Sequence, residues 1–156
     1  MSKNCSGAIR IAVSGLVMGA VAACSSNVPE AAEPEAEFTL QPIRYPEIES
    51  NDIYGPGCRF RLDNGGLSAL AMTRAEDAFI RVDGTVFPLG VDLTSEKAPL
   101  GTREIYRGQQ YQMALDLTGE EMASGGGRTE YTATLRITDA ENSLLYEQPG
   151  IAQCGV

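Results

Sequence analysis

The chain has 156 residues, 43% of them hydrophobic, with no histidine, no tryptophan and a formal net charge of −9. Without histidine there is neither a His-dependent catalytic triad nor a histidine-ligated metal centre. The acidic balance excludes the basic footprint on which sequence-independent nucleic-acid binding depends.

The first 37 residues divide into two parts. Lys3 and Arg10 precede an apolar run, residues 11–23, that ends in the small residues Ala22 and Ala23. A positive start, a short apolar stretch and small residues before a cut site describe an export signal. A membrane span needs about 20 apolar residues, and this run is shorter. Cys24 stands directly after Val21-Ala22-Ala23, and with it the segment resembles a bacterial lipoprotein signal. That resemblance implies removal of residues 1–23 and acylation of Cys24 with a diacylglycerol group and a further palmitate-type chain. Two or more acyl chains anchor a protein stably in a membrane. By the same resemblance, Ser25 implies delivery to the outer membrane, with the domain facing the periplasm.

Processing would remove Lys3 and Arg10 and no acid, so −9 becomes −11 in the mature chain. Residues 24–37 then alternate proline with Glu30, Glu33, Glu35 and Glu37. So little apolar surface cannot offset the ordering entropy, and a solvated, disordered tether is expected. Its reach is about 3 Å per residue where proline keeps it extended.

Residues 38–156 are left as a single β-rich domain. With Cys5 removed and Cys24 acylated, Cys58 and Cys154 are the remaining cysteines. In an oxidising compartment a leftover pair in a small exported domain is expected to form a disulfide. The chain-entropy model gives about 4–5 kcal/mol for a loop of that length.

Strand patterning begins after Pro56. Cys58, Phe60 and Leu62 alternate with Arg59 and Arg61, and Asp63-Asn64-Gly65-Gly66 supplies a turn. Residues 67–79 are rich in Ala, Leu and Met, which favour helix, but Leu67, Ala69 and Ala71 also alternate. The expectation is a strand over 67–72 and a turn at 73–77, with helix as the open alternative. Ala78, Ile80 and Val82 lead into Asp83-Gly84, a strong hairpin signal that sets Val82 opposite Thr85, Ile80 opposite Phe87 and Ala78 opposite Leu89. Pro88 predicts an edge position or a bulge. Strict alternation over residues 109–117 and 128–138 predicts two half-buried antiparallel strands joined by a hairpin loop at 118–127. Asp139–Asn142 turns the chain into residues 143–148, and Pro149-Gly150 is expected to turn it once more toward Cys154. Seven to eight short strands predict an all-β fold, a small antiparallel barrel or sandwich with one disulfide.

Catalytic motifs are missing. There is no Gly-x-Ser-x-Gly elbow and no phosphate-binding loop. Glu76/Asp77 and Glu120/Glu121 are adjacent in sequence and would point to opposite sides of an extended chain. Ser95-Glu96-Lys97 lacks the Ser-x-x-Lys spacing, and Asp139-Ala140-Glu141-Asn142 is a turn rather than a cation loop. No catalytic residue, metal or cofactor is therefore expected. The residues best suited to an interaction surface are Arg103, Tyr106 and Arg107 within 101–108, since Arg and Tyr carry interface energy.

Cys24, Cys58, the hairpin at 79–89, the segment 106–117 and the closing Cys154 follow the layout of the membrane-bound lipoprotein inhibitors of C-type lysozyme, which the chain resembles in that order. The diagnostic Ser-Gly-x-Gly-Ala-Lys/Arg-Tyr loop of those inhibitors is missing from residues 90–100, so no inhibitory residue carries over. The tail at 150–154 is similar to that of outer-membrane-type lipoproteins of proteobacteria. The expected function is a non-enzymatic, membrane-anchored binding domain. Its partner would be an envelope protein or a peptidoglycan component, with an inhibitor-like role or an Asp/Glu-based hydrolase as alternatives.

Overall fold

The computed structural model describes residues 38–118 and 121–156, so Cys24 and the tether lie outside the described residues. The strands are β1 (Gly57–Arg61), β2 (Ala71–Thr73), β3 (Asp77–Val82), β4 (Thr85–Val91), β5 (Ile105–Arg107), β6 (Tyr111–Asp116), β7 (Glu121–Gly125), β8 (Arg128–Asp139) and β9 (Leu144–Gly155). They pair antiparallel in the order β6-β5-β4-β3-β2-β1-β9-β8-β7, and β6 also pairs with β8. That last pairing closes an eight-stranded barrel, because β8 is long enough to hold two neighbours on one edge. Its residues 134–139 pair with β6 and residues 128–131 with β7. The fold is all-β, as the sequence predicts, and of the barrel kind.

Period-two patterning explains why the wall closes where it does. Val82 pairs with Thr85, Ile80 with Phe87 and Ala78 with Leu89, the register expected from the Asp83-Gly84 turn. Both turn residues have positive φ, 48° and 78°, as a two-residue hairpin of this hand requires. Inward-facing residues fill the interior: Phe60, Ile80, Tyr106, Met113, Leu135 and Ile137 are fully buried. Each such apolar side chain contributes about 1.5–3 kcal/mol when removed from water.

Three local expectations need correction. Leu67 is exposed, and β2 begins only at Ala71. The β1 ladder stops at Phe60 opposite Ala71, with Leu70 N–H still donating to the Phe60 carbonyl, and Ala69 bridges to Ile43 instead. The stretch 118–127 contains a strand, β7, which turns at Gly126-Gly127 and pairs back on β8. Pro149 and Gly150 do not turn the chain, since both lie within the continuous strand β9. Pro149 is tolerated because β1 pairs with β9 only up to Ile151, which leaves that edge free. Gly150 is required by close approach: a Cβ there would collide with the Arg61 carbonyl and lie 2.7 Å from the Phe60 ring. Pro88 fits the edge expectation, as β5 pairs with β4 only at Gly90 and Val91.

Before Pro56 the structure adds a helix, α1 (Tyr45–Ser50), with Pro46 in its first turn and the Glu47 carboxylate accepting the Arg44 N–H at 2.9 Å. The segment around it covers the outside of β2 and β3, where Ile43, Ile53, Ala69, Met72 and Phe79 form a second small core. Six residues are too few to produce a helical period, which is why the sequence pattern does not reveal it.

Candidate functional site

Cys58 and Cys154 are joined, as expected, as direct partners across β1 and β9, with Cα atoms 4.0 Å apart. The bond sits at the lower pole of the barrel, beside the loop from Asp92 to Glu104. That loop leaves β4, places its short 3₁₀ turn (Pro99–Gly101) against β1 and β9 on the far wall, and returns to β5. It therefore spans the pole as a plug. Internal bonds hold it: Ala98 N–H to Thr102 C=O at 2.9 Å, Glu104 N–H to Glu96 C=O at 3.0 Å, and Thr102 Oγ1 to Pro99 C=O at 2.7 Å. Thr102 is buried, its hydroxyl 4.0 Å from Cys58 Sγ.

The three residues expected to form an interaction surface are parts of this brace. Tyr106 is fully buried. It lies on a wall strand between Ile105 and Arg107, so the alternation turns it inward. Its hydroxyl donates to the Arg74 carbonyl at 2.7 Å and accepts the Arg103 N–H at 2.9 Å, and burial raises its pKa above the ordinary 10.0. Arg103 donates to the Ser95 carbonyl at 2.7 Å. Arg107 is exposed and pairs with Asp92 at 2.8 Å, and also contacts Gln112. Asp92 further accepts the Thr94 hydroxyl and N–H, and these bonds, with Arg107, lower its pKa to about 2. Ser95 is likewise structural: its hydroxyl donates to Asp92 C=O and accepts the Ile105 N–H. Asp139 Oδ1 accepts the N–H groups of Glu141 and Ser143, closing the turn read from the sequence.

Two of the open concavities lie at breaks in the wall, lined partly by inward-facing residues, and one lies on its outer face. A cleft of about 280 Å³ lies where β6 leaves β8, with Glu96, Glu104 and Asp116 around Leu115, Leu117 and Tyr131. The rim is mixed in charge, since Lys97 stands among these three carboxylates. They come from separate segments, so adjacency in sequence gives no sign of them. A second cleft, about 350 Å³ and more apolar, follows the seam between β4 and the β5–β6 turn, lined by Phe87, Pro88, Leu89 and Tyr111. A third, smaller dimple lies on the outer face of β1 and β9, among Gly57, Gly155, Arg59, Arg74 and Arg128. Among the described residues no helix is long and apolar enough to cross a membrane.

Comparison of the chain with protein-family models, with curated proteins and with solved structures finds no match in any of the three.

Proposed function

We propose that the chain is an envelope lipoprotein, anchored through Cys24 to the outer membrane and facing the periplasm, whose barrel is a non-enzymatic binding domain. The observation that carries this reading is the interior. It is filled by side chains from Phe60 to Ile137, so among the described residues a ligand meets the barrel at shallow openings, at breaks in the wall and on its outer face. Such openings receive a protruding group of a larger partner better than they enclose a small substrate. The Cys58–Cys154 bond accords with an oxidising compartment.

The test has two arms. Intact mass of the membrane-extracted protein is expected to show the diacylglycerol and acyl additions on Cys24, lost in Cys24→Ser. Affinity capture with the full chain is expected to recover one stoichiometric envelope component. Unmodified Cys24 would remove the anchor. Turnover of a wall glycan that disappears with Glu96→Gln, Glu104→Gln or Asp116→Asn would replace the binding role by the hydrolase.

A further inference from the structure

The dimple on β1 and β9 is out of keeping with the rest of this acidic molecule. Registers place Arg128, Gly155 and Gly57 side by side across β8, β9 and β1, with Arg59 opposite Gln153 two pairs further up. All of these share the face opposite to the inward-facing Cys58 and Cys154. Gly57 is required by close approach, since a Cβ there would collide with the Thr73 carbonyl, and the dimple lies beside it. The Arg128 stem lies across Gly155, where a Cβ would come within 2.7 Å of Arg128 Cγ.

Charge is distributed unevenly around the dimple. Arg74 is held by both oxygens of Asp77 at 2.6 Å and donates to the carbonyls of Asp52 and Tyr54. Arg61 pairs with Glu130 at 3.6 Å, and Glu130 also accepts from Gln153. Arg59 and Arg128 are exposed and, among the described residues, have no acidic partner within ion-pair distance. Two guanidinium groups without an acidic partner among the described residues thus line one dimple, in a chain whose net charge is −9.

We infer that this dimple binds one carboxylate group of the cell-wall stem peptides, held by Arg59 and Arg128. Guanidinium groups take carboxylates through paired N–H···O bonds, which gives orientation as well as attraction. The room is about 40 Å³, enough for one small oxyanion and far too little for a sugar ring. Placement favours the wall over a lipid phosphate. Phe38, where the chain emerges from its tether, sits at the upper pole beside Tyr111, and the dimple lies at the lower pole. In a domain anchored through its N-terminal segment, this face is at the pole remote from the point of attachment. The choice of wall over lipid rests on the anchored reading above; the anion site itself does not.

The experiment is co-sedimentation of the full-length protein with purified peptidoglycan sacculi. Wild type is expected to sediment with native sacculi and to be released by N-acetylalanine. Carbodiimide-amidated sacculi are expected not to hold it. Arg59→Gln with Arg128→Gln is expected to weaken binding about tenfold or more, the corresponding double lysine variant to fall between, and Arg136→Gln to match wild type. An intact disulfide and an unchanged urea midpoint establish that the double variant folds. Equal binding by the double variant, equal binding to amidated sacculi, or release by inorganic phosphate but not by N-acetylalanine overturns the inference. If sacculi are not bound while affinity capture recovers an envelope protein, the carboxylate site falls and the binding-domain reading stands. An unmodified Cys24 removes the anchor without touching the sacculus result.

Discussion

The two poles of the barrel are closed by different physics. At the lower pole the 92–104 loop crosses to β1 and β9 and is tied down by hydrogen bonds, by Tyr106 and by a neighbouring disulfide. At the upper pole β5 is only three residues long, so β4 and β6 separate. Closure there comes from rings: Phe38 and Phe87 meet Tyr111 edge-on at 5.6 and 5.0 Å. Phe38 reaches that position because Leu40 bridges to Val82 at the end of β3. The contrast teaches that a short barrel need not close both ends alike. Directional bonds fix a polar plug in one geometry, whereas aromatic packing seals a seam without requiring the strands to meet.

Four measurements can break or sharpen this contrast. The largest effect is expected from Cys58→Ala with Cys154→Ala, which frees a crosslink spanning 96 residues in sequence and should cost about 4–5 kcal/mol in urea unfolding. A loss below about 1 kcal/mol would mean that the plug holds the lower pole without the bond. Next comes Tyr106→Phe, which keeps the ring but strands the Arg103 N–H and the Arg74 carbonyl. The expected cost is about 1–3 kcal/mol, and no change would remove the hydroxyl from the brace. At the other pole, Phe38→Ala takes one half-buried ring from the seam. About 1–2 kcal/mol is expected, less than for a fully buried Phe, with faster amide exchange at Tyr111 than at Tyr106. Equal acceleration at both would show that the poles are coupled.

The smallest effect concerns pH. Asp92 is held at about 2, below its ordinary 3.8, first by the Thr94 hydroxyl and then by Arg107. Its folded-state pKa is depressed, so its contribution is fully present above about 3.8 and is lost as pH falls through about 2. Carboxyl NMR titration should give that midpoint in wild type and a midpoint nearer 3.8 in Thr94→Val. An unmoved midpoint would assign the depression to Arg107 and the backbone N–H of residue 94.

Much of the wall was legible in the sequence. The Asp83-Gly84 hairpin appears in the structure at the expected register, and Met113 and Leu115 alternate inward opposite Ile137 and Leu135. These features depend on neighbours in sequence and on a period of two, and both survive tertiary packing. Helix α1, the strand status of Pro149-Gly150 and the burial of Tyr106 were not legible. Each depends on what lies across space: the outer apolar face of β2 and β3, the length to which β1 pairs with β9, and the wall position of β5. The candidate interaction surface failed for that reason. Arg103, Tyr106 and Arg107 had the chemistry of an interface, but period two turned the tyrosine into the core and bonds within the loop engaged both arginines.

What the sequence determined by itself is the part governed by local rules: strand alternation, the turn at Asp83-Gly84, and the cysteine count that pairs Cys58 with Cys154. Only the tertiary structure decided barrel over sandwich, because closure depends on β8 being long enough to hold β6 and β7 on one edge. It alone also set Arg59 and Arg128 around one dimple. Residues far apart in the chain share an electrostatic environment only after the strands between them have been placed.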